Sequence, residues 1–157
     1  MLPQNFTNKS QEAIQTAARL AHENGQAQIE PPHLFLAFIQ DKEGTVSAII
    51  KKLGGNTSHL ETAVQGLINH LPKQGMAMDE GSVGQIMLSQ ATMNLFQNAA
   101  HEAKKMGDEY ISIEHLFLAF LVVKNPIADI LVPQGINYDS VLKVLASIRG
   151  NQRVDSP

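Results

Sequence analysis

His33-Leu34-Phe35-Leu36-Ala37-Phe38 returns letter for letter as His115-Leu116-Phe117-Leu118-Ala119-Phe120, 82 residues further along the chain. Sliding the sequence on itself at that offset also matches Gln15 with Gln97, Ala17 with Ala99, Ala18 with Ala100, Ala21 with Ala103, Gly25 with Gly107, Ile29 with Ile111 and Lys42 with Lys124. After a one-residue slip, Ile49 falls on Ile130, Gly54 on Gly135 and Asn56 on Asn137. So many coincidences in order mark an internal duplication, and both halves must carry the same succession of elements.

Those elements read as helices. Ala13, Ile14, Ala17, Ala18 and Ala21 recur on one helical stripe after the cap candidate Thr7, and Asn24-Gly25 stops it. Ser89 opens the counterpart, which carries Leu95, Phe96, Ala99, Ala100 and Ala103 and stops at Gly107. The repeated phrase follows Pro31-Pro32 in one half and Ser112 in the other, and its nearly unbroken apolar character predicts a short helix buried on most sides. Periodicity alone leaves a strand open there, and the neighbouring helical signals argue against it. Third helices follow around Val46 to Leu53 and Ile127 to Leu131. Fourth helices carry Leu60, Ala63, Val64 and Leu67, and Val141 to Ile148. The expected fold is all-α: eight helices as a pseudo-twofold duplication of a four-helix repeat.

A half of about 75 residues makes only a marginal core, so the repeats are expected to pack on one another as one domain over residues 1–150. The first repeat runs from about 6 to 71 and the second from about 88 to 149. Residues 72–87, with Pro72, Gly75, Gly81 and Gly84, read as a surface connection. Residues 151–157 are polar and read as the start of a linker.

Composition narrows the function. A net charge of −3 gives no basic footprint for nucleic acid, and the apolar stretches are too short to span a bilayer. With no cysteine there is no disulfide frame or thiolate site, and a cytoplasmic address is the default. No Gly-x-x-x-x-Gly-Lys-Ser/Thr run is present, so nothing is expected to cradle a nucleotide. The six histidines include no i, i+4 pair, which argues against a metal site. Glu114-His115 invites an acid–base reading, but no nucleophile accompanies it. Glu114 is better read as a first-turn charge after Ser112, His33 and His115 as structural groups at buried helix starts, and Asp108 as a turn residue after Gly107.

Two copies of a four-helix unit with Glu/Pro-x-His-Leu-x-x-Ala at the second helix resemble the Clp N-terminal repeat domain. Phe6-Thr7-Asn8-Lys9, Ile29-Glu30-Pro31-Pro32-His33-Leu34, Leu71-Pro72, Gly107-Asp108-Glu109-Tyr110-Ile111-Ser112 and Ile148-Arg149-Gly150-Asn151-Gln152-Arg153-Val154 are similar to the ClpB-type protein disaggregases over essentially the whole chain. The resemblance implies a non-catalytic module that captures unfolded or aggregated polypeptide in an apolar groove. It would pass this to ATPase modules arranged as a hexamer, working with a co-chaperone system. ATP and Mg²⁺ belong to those modules, and this segment carries no cofactor of its own. By the same resemblance Thr7, Phe96, Asp108 and Glu114 are the substrate-binding residues. The alternative is an adaptor-docking or phosphoarginine-reading domain of a protease-associated Clp ATPase.

Overall fold

The two copies of the repeated phrase meet face to face at the centre of the molecule. In the computed structural model, which describes residues 3–73, 87–150 and 152–157, the first repeat folds as α1 (Asn8–Glu23), α2 (Pro31–Gln40), α3 (Thr45–Lys52) and α4 (Thr57–Asn69). The second folds as α5 (Gln90–Lys105), α6 (Ile113–Phe120), α7 (Pro126–Leu131) with a 3-10 turn at Val132–Gln134, and α8 (Tyr138–Arg149). The phrases lie in α2 and α6, so the duplicated sequence has become duplicated structure.

Local chemistry fixes the helix ends. The Thr7 and Ser89 hydroxyls accept from the backbone N–H of Ser10 and Thr92, and Asn56, Asn125 and Asn137 cap α4, α7 and α8 in the same way. Gly25 and Gly107 stop α1 and α5 in the left-handed region, at φ of 70° and 72°, where a Cβ would be strained.

Every residue from Leu34 to Ile39 and from Leu116 to Phe120 is buried, which is why the phrase shows no polar face. Phe35 packs against Phe117 and Phe120 with ring centroids 6.2 and 5.7 Å apart, and Phe38 meets Phe120 edge-on at 6.0 Å. Burying each ring contributes about 1.5–3 kcal/mol, and the aromatic geometry adds to that. The hydrophobic centre is thus shared by the two repeats.

The repeats are also stitched at their edges by a reciprocal exchange. Phe6 bridges to Ile111 and Leu88 bridges to Ile29, both in parallel sense. The hydrogen bonds repeat as well: Thr7 N donates to Ile111 O at 3.0 Å and Ser89 N to Ile29 O at 3.2 Å. The Ser10 and Thr92 hydroxyls reach the same two carbonyls at 3.0 and 2.7 Å. Each repeat therefore begins by pairing with the loop ahead of the other repeat's buried helix. Of the expected connection at 72–87, residues 74–86 lie outside the described residues.

The stretch after α8, expected to begin a linker, makes contacts of its own with the domain. Val154 N donates to Asp108 Oδ1 at 2.9 Å, and its carbonyl accepts from Glu109 N and Tyr110 N at 2.8 and 3.0 Å. Residues 152–157 run from the Asp108–Tyr110 turn to the start of α1, where Asn8 N donates to Pro157 O at 3.0 Å, contacts that composition does not reveal.

Candidate functional site

The site grows from one buried motif that occurs twice. At the start of α2, His33 Nδ1 accepts from Glu30 N at 2.9 Å, and at the start of α6 His115 Nδ1 accepts from Ser112 N at 2.9 Å. An accepting Nδ1 puts the proton on Nε2, so each ring donates there: His33 to Gln26 Oε1 at 2.6 Å, His115 to Asp108 Oδ2 at 2.7 Å. Both rings are fully buried, and burial lowers both pKa values, His33 to about 4. For His115 the Asp108 carboxylate opposes that shift without reversing it. With both ring nitrogens engaged in the interior, His115 and Glu114 form no joint acid–base centre.

Gln26 and Asp108 are equivalent positions with different chemistry. Gln26 passes its amide proton to Ile68 O at 2.8 Å, at the end of α4. Asp108 instead accepts from Arg149, at the end of α8, through Oδ1 at 2.6 Å and Oδ2 at 2.9 Å. Arg149 also reaches Glu114 Oε2 at 3.4 Å. Burial alone would raise the Asp108 carboxyl, but Arg149, the Val154 N–H and His115 outweigh it and bring it down to about 2. Asp108 is thus a buried anion that orients a guanidinium and one strand of backbone, well beyond a turn residue. Its neighbour Gly107 matters too, since a Cβ there would stand 3.3 Å from Arg153 Nε.

Beside this anchor opens a cavity of about 420 Å³. Thr7, Lys9, Ser112, Glu114 and Val154 line it together with Asp41, Glu43 and Gly44 of the α2–α3 loop. It runs on into a smaller trough of about 110 Å³ where Ala37, Phe38, Val46 and Ile113 stand among Lys9, Glu12, Thr16, Asp41 and Thr45. The groove therefore mixes hydroxyl, carboxylate and ammonium groups with apolar side chains along its length. The structure brings Thr7 and Glu114 together on the groove wall, with Asp108 directly behind.

Phe96 is placed elsewhere. It is 3% exposed and packs edge-on against Phe6, with ring centroids 5.2 Å apart. It belongs to the core beneath the first edge bridge, and it stands apart from the residues that line the groove. The apolar lining comes instead from Ile113 and Val46. Ile113 is the one apolar position of α6 that is only partly buried, and it directly precedes Glu114. That step from a half-covered isoleucine to a carboxylate at a helix start was the available signal.

Residues 5–134 match the model of the Clp repeat (R) N-terminal domain. The chain belongs to this Clp N-terminal repeat family. It is 35% identical over 152 residues to the chaperone protein ClpB of Bacteroides thetaiotaomicron, and 33% identical over 151 residues to that of Bacillus cereus. These alignments cover 97% and 96% of the chain and 17% of each relative, so the chain spans about a sixth of their length. Among solved structures it is similar to the Hsp104 N-terminal domain of Candida albicans, with a TM-score of 0.81, 25% identity and coverage of 98% and 97% of the two chains. A complex of a ClpV N-domain with a VipB peptide shares the fold at a TM-score of 0.71 and 18% identity, over 94% of this chain and 89% of that one. The eight α-helices among the described residues and their duplication are those of Clp N-domains of the ClpB and Hsp104 type.

Proposed function

We propose that this domain is the non-catalytic client-binding module of a ClpB-type disaggregase. It captures extended segments of unfolded or aggregated polypeptide in the groove between Thr7, Glu114 and Ile113 and hands them to hexameric ATPase modules in the cytoplasm. The observation that carries this reading is the make-up of the groove, which sets polar and charged groups beside apolar side chains such as Ile113. An unfolded segment exposes apolar side chains and unpaired backbone N–H groups together, and both find partners there without any reading of sequence. One or two buried side chains contribute about 1.5–3 kcal/mol each before the cost of ordering the segment, so capture is weak and promiscuous. The ClpV N-domain bound to a peptide supports peptide docking as a use of this fold.

The single defined peptide in that complex also suits a second reading, in which the occupant here is one specific segment, such as an adaptor's, rather than clients at large. A labelled, permanently unfolded polypeptide such as reduced carboxymethylated α-lactalbumin separates the two. Client capture requires measurable binding to it, weakened several-fold by Ile113→Ser at a temperature where melts show that variant fully folded. Binding that is absent, or indifferent to Ile113, rejects the client reading. An arginine-phosphorylated peptide that binds where its unmodified form does not would establish the phosphoarginine-reading alternative.

A further inference from the structure

Capture that ignores sequence can still sort segments by charge, and the groove has a sign. Asp41, Glu43 and Glu114 line its larger cavity and Glu12 its smaller trough, against Lys9 as the one cation lining either. Lys9 is itself shared, with its Nζ 4.0 Å from Glu12 Oε2. Glu114 meets Arg149 at 3.4 Å, but that guanidinium is held by Asp108 through two shorter hydrogen bonds. Asp41 and Glu43 are exposed and make no ion pair among the described residues. The lysine between them, Lys42, pairs instead with Glu61 of α4 at 3.1 Å. Asp41 and Ile113 each line both cavities, so a carboxylate without a cation and a half-covered apolar side chain share the junction.

The duplication shows that the fold does not need these charges. At the 82-residue offset Val123 stands where Asp41 stands, and Pro32 where Glu114 stands. The loop between α6 and α7, Leu121 to Asn125, closes the same turn with no acidic residue in it. Nor do Asp41 and Glu43 cap α3, whose N-cap Gly44 receives no side-chain hydrogen bond. Their place on the groove is what distinguishes them. A cleft lined mainly by one sign of charge focuses its field and raises the local concentration of the opposite sign.

We propose that the α2–α3 loop is the specificity-determining element of the groove, and that it selects client segments in which a lysine or arginine neighbours an apolar side chain. The apolar group enters beside Ile113, and the cation lies against Asp41 and Glu43. This selection rests on the groove reading above and narrows it, since a segment that carries glutamate or aspartate at the same place meets like charge. Pairs at an exposed rim are individually weak and are screened by salt, so the selection is a bias of a few-fold and not an absolute requirement.

Three labelled unstructured peptides test this: two tandem copies of Ser-Lys-Leu-Ile-Lys-Gly, and the same peptide with glutamine or with glutamate for every lysine. Fluorescence anisotropy in dilute buffer should show the lysine peptide bound about threefold or more tighter than the glutamine peptide, and the glutamate peptide weakest. The lysine advantage should vanish in Asp41→Asn/Glu43→Gln and in about 0.5 M salt. It should persist in Asp129→Asn/Asp139→Asn, which removes the same charge from exposed positions off the groove. No lysine advantage, one that survives Asp41→Asn/Glu43→Gln, or one lost equally in both double variants overturns the selection. If the peptides then still bind and Ile113→Ser weakens them, the groove reading stands without it. If none of the three binds, or Ile113→Ser leaves their binding unchanged, the groove reading falls and the selection falls with it.

Discussion

Gln26 and Asp108 stand 82 residues apart in sequence and at one position in the duplicated fold, each accepting the Nε2 proton of its own repeat's buried histidine. The neutral copy closes its network on the Ile68 carbonyl, and the charged copy closes on Arg149. The two repeats thus differ at this position and at its partner, Ile68 in one and Arg149 in the other, so that one copy holds a neutral hydrogen bond and the other a buried anion. The asymmetry explains why a pseudo-twofold domain can carry a one-sided site.

Removing either partner of the Asp108–Arg149 pair should be costly. Arg149→Met leaves the fully buried Asp108 carboxylate without its cation, a loss of about 3–5 kcal/mol, or roughly 6–20 °C in melting temperature for a chain of this size. Asp108→Asn keeps the histidine contact and should cost less, on the order of 2 kcal/mol. Thermal melts at neutral pH read both; an Arg149→Met melt within a degree of the parent would show the pair to be dispensable.

Acid should weaken the domain in two successive windows. His33 has its pKa lowered from 6.5 to about 4, so the unfolded chain takes up a proton that the native chain refuses. Stability is therefore full above pH 6.5 and falls as pH drops toward 4, by at most about 3 kcal/mol from this group. Asp108, lowered from 3.8 to about 2, then loses its stabilising contribution as pH falls from about 4 toward 2. His33→Gln should reduce the slope of the first window in urea titrations run from pH 7 to 4, leaving the share of His115, whose pKa burial also lowers. An unaltered slope in that variant would assign the acid sensitivity elsewhere.

Most of the fold was legible because it rests on local rules. The apolar phrase had no polar face to show, and the stops at Gly25 and Gly107 and the caps at Thr7 and Ser89 are one-residue signals. The exchange of Phe6 with Ile111 and of Leu88 with Ile29 left no trace in composition, since backbone pairing between distant residues is silent in side-chain pattern. The contacts of residues 152–157 were illegible for the same reason. Of the site residues, Thr7 and Glu114 line the groove, Asp108 supports it from behind, and Phe96 stands in the core. A helical stripe says that a residue faces inward, and it cannot say whether inward means a core or a groove.

Phe96 gives a sharp test of that distinction. Truncating a buried ring that packs on Phe6 should cost about 3–5 kcal/mol. Phe6→Ala should cost a comparable amount, and the double variant less than the sum, with a coupling of about 0.5–1.5 kcal/mol for the edge-on pair. Denaturant melts of the four proteins measure it. A Phe96→Ala protein as stable as the parent would return this side chain to the groove.

The duplication supplies its own control for the groove. Thr7 and Ser89 are equivalent: each is 8% exposed, caps the first helix of its repeat, and leads its backbone N–H into the other repeat. Thr7→Ala and Ser89→Ala should therefore each lower stability by about 1 kcal/mol through the lost cap. Only Thr7 borders the cavity that holds Glu114 and Val154. Binding of an unfolded polypeptide, measured by fluorescence anisotropy well below the melting transition, should weaken several-fold for Thr7→Ala and stay unchanged for Ser89→Ala. Equal weakening by both would trace the effect to a loosened fold, and no weakening by either would remove the Thr7 hydroxyl from client recognition.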